Sequence, residues 1–275
     1  MARKQLFFQR TWFLVLISGL VLFLATDRAI YATGNPNYLP TVILIGAFLV
    51  PVTFVVYIYQ RVPIGEIPLA SIAITFLWGG ALGIILAGIL EYQTARQLGV
   101  FSLFGVGLIE EAAKLIVPVI IFLRRRYLHE ADGLLFGIAA GMGFAALETM
   151  GYGFVVFLQS QGNLTILHQT LLIRGLLSPA GHAAWTGIVC ASLWRQRQKA
   201  GHAVINFPII GTFLLAVILH AAWDIAGSIS RAAGQQYAYM DFIGLAVVAT
   251  VSLVLLIIRL RSAQHTSNKP AATYP

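Results

Sequence analysis

Eight apolar runs of about twenty residues each, at about 11–30, 40–60, 68–92, 98–123, 131–158, 178–194, 204–229 and 240–258, leave this chain few folds to adopt. In hydrocarbon a backbone must satisfy its own N–H and C=O groups, and runs of this length do so as helices. The expected fold class is all-α, a polytopic transmembrane helical bundle of about eight spans. Composition points the same way: 10% of the residues are charged, against about 25% in an ordinary soluble domain. The one cysteine, Cys190, sits within an apolar run. It allows neither an intramolecular disulfide nor a cysteine metal cluster and reads as a small packed hydrophobe.

The basic residues sort by side. Thirteen of the eighteen Lys and Arg fall in the N-terminal tail, at Arg61, in 124–126, in 195–199 and from Arg259 onward. The opposite loops hold Arg28, Arg96, Arg174 and Arg231, and Lys114 lies within a span. The positive-inside rule then places both termini in the cytoplasm. The net charge of +8 faces anionic lipid headgroups and no nucleic acid. The first run exceeds a usual signal-peptide core and reads as an uncleaved signal anchor. The chain divides into three N-terminal helices (1–97), a core carrying the unusual charges (98–230), and a last helix with a cytoplasmic tail expected to be disordered (231–275).

Those charges pose the functional question. Asp27, Glu66, Glu91, Glu130, Asp132 and Asp241 lie at span ends or in loops, where a solvated role is the default. Glu110, Glu111, Glu148 and Asp224 lie inside spans, together with Lys114, His182 and His220. An ionisable group at membrane depth costs a few kcal/mol at least and normally faces a bundle interior or a wet cavity. At ~1.5 Å per residue from the cytoplasmic span ends, Glu110 rises roughly 21 Å, Glu148 and His220 about 25 Å, His182 about 18 Å and Asp224 about 31 Å. Four spans thus bring polar groups to a similar level, as a single site requires.

Local spacing adds detail. On a helix Lys114 falls between Glu110 and Glu111, one turn away, and can neutralise one of them while the other serves as a base. Pro118 has no N–H for the carbonyl of Lys114, so a kink is expected just beyond the acidic pair. Gly133, Gly137 and Gly141 recur every four residues and mark a close helix contact, with Phe144 and Glu148 on the same face. In LLSPAGHAAW, Ser178 reads as an N-cap and Pro179 as the first helical residue, with His182 in the first turn. The preceding NLTILHQTLLIRGLL suits an interfacial or re-entrant segment. His220 and Asp224, four apart, can share a metal, bond to each other or hold one substrate oxygen.

In order, EEAAK (110–114), FAALE (144–148), GHAAWTG with His182, and HAAWD (220–224) resemble the PrsW family of intramembrane proteases, whose pattern is EExxK, FxxxE and HxxxD on successive transmembrane helices. The resemblance covers roughly 100–230. A related group, the CAAX-processing and bacteriocin-immunity membrane proteases, carries EExxxR, FxxxH and HxxxN/D. The closer-spaced Lys114, and Glu148 where that group has histidine, separate this chain from it. The resemblance implies peptide-bond hydrolysis in the membrane, as in regulated proteolysis of a membrane-bound anti-sigma factor, in a multi-pass protein of the bacterial plasma membrane. Such chemistry needs a base for water and stabilisation of an oxyanion. Glu110 or Glu111 is the expected base, with Lys114 tuning the pair and His220 on the oxyanion side. Two versions stay open. In one, a divalent metal, zinc in first place, takes ligands from Glu148, His182, His220 and Asp224. In the other a glutamate activates water directly. The rival class is a proton- or ion-coupled transporter, which also carries intramembrane Glu, His and Asp.

Overall fold

The computed structural model describes residues 10–61, 67–98, 102–228 and 238–267. Every regular element among them is helical: α1 (Thr11–Thr33), α2 (Leu39–Arg61), α3 (Leu69–Leu98), α4 (Ser102–Lys114), α5 (Ile116–Leu123), α6 (Glu130–Gln159), α7 (Leu164–Leu177), α8 (His182–Ala200), α9 (Phe207–Ala226) and α10 (Ala238–Ser267). The all-α helical bundle is thus the observed architecture. Six segments are long and apolar enough to cross a membrane: α1, 36–61, 69–93, α6, α9 and 240–264. The other two expected spans take different forms. The 98–123 run is broken at Leu115 into α4 and α5. Helix α8 is buried along most of its length. A helix enclosed by protein needs no apolar face for lipid, so its sequence can carry polar and small residues.

The chain forms two compact units, residues 1–61 with 145–179, and 62–144 with 180–275. In the first, Val42, Ile43 and Ala47 of α2 pack with Leu167 and Leu171 of α7, and Phe23 of α1 closes against them. Helix α7 starts where Asn163 accepts hydrogen bonds from the N–H groups of Thr165 and Ile166. Asp27 pairs with His168 at 2.9 Å. Arg174 pairs with Glu148 at 2.6 Å.

In the second unit the first half of α6 is the centre. Residues 130–144 are all buried. Its small residues permit this: a Cβ on Gly137 or Gly141 would run into the backbone carbonyls of Thr186 and His182 on α8. The four-residue glycine repeat therefore marks a close helix contact, as its spacing predicts. At the start of α6, the carboxylate of Asp132 accepts the backbone N–H of His129 at 2.9 Å, a capping bond back across the first turn. Two acidic residues expected to be solvated are not. Glu130 is 1% exposed and Asp132 2%. Glu130 is instead faced by Arg195 at 3.8 Å and Arg259 at 3.7 Å. Cys190 is buried against Gly137, a packed hydrophobe as expected.

The approach to α8 differs from the sequence reading. Ser178 does not cap α8. It follows the end of α7, where its hydroxyl donates to the carbonyl of Gly175 at 2.8 Å. A short 3-10 turn (Ser178–Ala180) follows, Gly181 is the N-cap, and α8 opens at His182 itself. The Ser-Pro pair looks like a helix start by composition, but the chain continues straight out of α7 and uses it for the exit turn. His182 still stands in the first turn. The segment expected to be interfacial or re-entrant forms a fourteen-residue helix, α7, packed on α2 and too short to count among the membrane-crossing helices.

Candidate active site

The site grows from α4. Glu110, Glu111 and Lys114 lie at the end of a thirteen-residue helix and are all buried. Lys114 is its last residue because the ladder fails there. Pro118 cannot donate to the Lys114 carbonyl, and the N–H of Leu115 bonds three residues back, to Ala112, at 3.2 Å. The expected kink is a full break in the helix. It leaves Lys114 at the end of α4 with its ammonium turned back up the helix, 3.0 Å from Glu110 Oε2 and 2.8 Å from Glu111 Oε1. The lysine bridges both carboxylates, where the spacing alone required only one.

Two further helices bring the histidines. A Cβ on Gly107 would sit 3.2 Å from the Val217 carbonyl and 3.4 Å from His220 Cβ. The bare glycine thus lets α9 lie close on α4. At that approach His220 Nδ1 donates to Glu111 Oε1 at 2.9 Å, and Nε2 stands 3.5 Å from Glu110 Oε2 and 3.6 Å from Asp224 Oδ2. From α8, His182 Nδ1 meets Lys114 Nζ at 2.8 Å. An ammonium has only hydrogens to offer, so this ring nitrogen is the acceptor and the ring proton sits on Nε2. Thr186 of α8 donates to Glu111 Oε2 at 3.4 Å. Aromatic rings close the cluster. Phe144 lies 4.1 Å under the Lys114 ammonium, and Trp185 stacks on His220 with centroids 4.9 Å apart. The Trp185 indole is itself held by a hydrogen bond to Ser252 of α10 at 2.9 Å.

Six of the seven ionisable groups singled out from sequence therefore meet in one cluster, drawn from α4, α8 and α9. The seventh, Glu148, lies one turn beyond Phe144 on α6 and is engaged by Arg174 of α7. Arg174 also reaches Thr149 at 3.3 Å and lies over the Tyr152 ring. Sequence reasoning counted Arg174 as a loop charge and did not single out Trp185, Thr186 or Ser252. Trp185 and Thr186 were within reach, since they lie three and four residues after His182 on one helix face. Ser252 carries no sequence signal.

Exposure ranks the groups by access. Asp224 is 26% exposed, Glu110 8% and His220 4%, against 1% for Glu111 and none for Lys114. A substrate can thus meet Asp224, Glu110 and the Nε2 edge of His220, while Glu111 and Lys114 support them from behind. As a metal centre the arrangement does not fit. Among the described residues no three His, Cys, Asp or Glu side chains are grouped to hold a metal. The point on which Glu110, Glu111 and His182 converge is taken by the Lys114 ammonium. His182 spends Nδ1 on that lysine, and His220 spends Nδ1 on Glu111.

What this cluster can do is hold a buried carboxylate pair beside an imidazole, with one open edge, inside a bundle of apolar helices. Comparison with known proteins returned no match among curated proteins or solved structures. The profile described as PrsW family intramembrane metalloprotease matches residues 67–257, which takes in every residue of the cluster and most of the chain. With that match, and with an all-helical fold of membrane-crossing length around buried acid and imidazole, the chain belongs to the PrsW family of intramembrane metalloproteases.

Proposed function

We propose that this protein hydrolyses a peptide bond of a membrane-bound protein at the Glu110–His220 edge, and that its substrate class is an anti-sigma-like single-span protein. The observation that supports it best is the graded exposure of one cluster, with Glu110 and His220 at its edge and Glu111 and Lys114 behind them. Glu110 takes a proton from water, and the water oxygen attacks the scissile carbonyl carbon. The developing oxyanion accepts a hydrogen bond from His220, with its second proton on Nε2. Glu110 then returns its proton to the leaving nitrogen as the C–N bond breaks, giving a carboxylic acid and an amine. Glu111 fixes the ring through Nδ1, and Lys114 offsets the charge of the two carboxylates, which unpaired would be costly to bury. Asp224 holds the Nε2 edge until substrate takes its place.

The family's description implies a divalent metal, and zinc would draw on Glu148, His182, His220 and Asp224. With the ammonium at the convergence point and Glu148 on Arg174, that set does not fit, and no step here passes through a metal. The protein is read as a multi-pass protein of the bacterial plasma membrane with both termini cytoplasmic, its basic loops facing anionic headgroups.

The test is proteolysis in proteoliposomes against a panel of single-span reporters, with and without a chelator, beside ion- and solute-flux measurements on the same vesicles. The expected result is cleavage of at least one anti-sigma-like reporter that survives chelation. Cleavage abolished by the chelator and restored by zinc would overturn the metal-free assignment. Flux without cleavage would replace hydrolysis with transport.

A further inference from the structure

The α8–α9 connection carries a second polar construction, apart from the acidic cluster. A cavity of about 320 Å³ opens there, lined by Arg195 and Lys199 of α8, Phe207, Gly211 and Thr212 of α9, and Arg259 of α10. Three cations on two helices converge on it. Among the described residues one carboxylate answers them, Glu130, which is buried at 3.8 Å from Arg195 and 3.7 Å from Arg259 without a hydrogen bond to either. Lys199 adds a third cation acting on that same carboxylate. The cavity therefore keeps an excess of positive charge. The N-terminal end of α9, where Asn206 makes no side-chain cap bond, adds the positive end of a helix dipole.

Its surroundings are apolar in a particular way. Phe207 is 85% exposed and Ile205 81%, the two most exposed large hydrophobic side chains among the described residues. Phe207, Gly211 and Leu215 follow one another at one-turn spacing along α9, itself a helix of membrane-crossing length. No side chain fills the space at Gly211, where a Cβ would meet nothing within 4 Å. Cations at the head of an exposed apolar stripe match an amphiphile with an anionic head better than a free anion in water.

We propose that this cavity binds the phosphodiester headgroup of an anionic phospholipid, with an acyl chain laid along the Phe207–Leu215 face of α9. The site is separate from the hydrolytic cluster and holds whichever residue there is the base. The positive-inside rule accounts for basic residues near this membrane surface; it does not account for a cavity that gathers three of them around an open glycine.

Native mass spectrometry of the full chain, titrated with phosphatidylglycerol and with phosphatidylcholine of matched acyl chains, tests it. Wild type should hold one phosphatidylglycerol per chain in clear preference to phosphatidylcholine. Lys199→Gln should weaken that binding about fivefold. Gly211→Leu changes no charge but fills the cavity, and should weaken binding at least tenfold. Arg61→Gln, a cation outside the cavity, should bind as wild type does. Equal retention of the two lipids, or phosphatidylglycerol binding unmoved by both Gly211→Leu and Lys199→Gln, would overturn the proposal. Water-soluble glycerol 3-phosphate binding as tightly as the lipid would overturn the lipid assignment in favour of a free phosphate ester.

Discussion

At the scale of single residues, the proposed mechanism divides the cluster into groups that react and groups that position. Glu111 accepts from Lys114, His220 and Thr186 and is almost inaccessible. Glu111→Gln should therefore lower kcat while leaving KM within about twofold, because the His220 ring loses its anchor and substrate contacts do not change. Trp185 tests the same idea more gently. Ser252→Ala frees the indole N–H and should cost about 1 kcal/mol of orientation, roughly fivefold in rate, with the fold intact. Steady-state kinetics on a cleavable reporter reads both. Much of this level was legible in sequence. Glu110, Glu111, Lys114, His182, His220 and Asp224 are conspicuous because charge inside an apolar run needs a reason, and helical spacing put each on a defined face. Arg174 was not legible, since its pairing with Glu148 depends on how α7 packs.

Elements show where local signals suffice and where packing overrides them. Pro118 ends α4 by covalent structure alone, so the break was readable. Pro118→Ala should restore the missing backbone bond and straighten the segment. The variant should keep or raise its thermal midpoint while activity falls, because Lys114 no longer ends a helix beneath the glutamates. The glycine repeat was readable too, and its variants should divide sharply. Gly141→Ala meets the His182 carbonyl and should destabilise by about 1–3 kcal/mol. Gly151→Ala, on the same helix with nothing within 4 Å, should be neutral or gain up to about 1 kcal/mol. Thermal unfolding in detergent compares the pair. By contrast the Ser178-Pro179 pair misled, because capping residues serve an exit turn as readily as an entry, and only the path of α7 decides between them.

For the whole molecule, hydropathy gave the class, an all-helical chain with helices of membrane-crossing length. Six helices are long and apolar enough to cross a membrane, and α8 is not among them; it is buried along most of its length. That enclosure places His182, Trp185 and Thr186 in one wall of the site, and it arises from tertiary packing that no single run encodes. The fold sets an acid pair and an imidazole at the meeting of α4, α8 and α9, and in the proposed mechanism these groups hydrolyse as one unit. The direct measurement is single-turnover cleavage of a reporter by Glu110→Gln, by His220→Ala and by the double variant, each reconstituted and verified as folded. Each single change is expected to cost at least about a thousandfold, with the double variant scarcely worse than either, as for residues acting together. Cleavage by Glu110→Gln at a rate near wild type would contradict it.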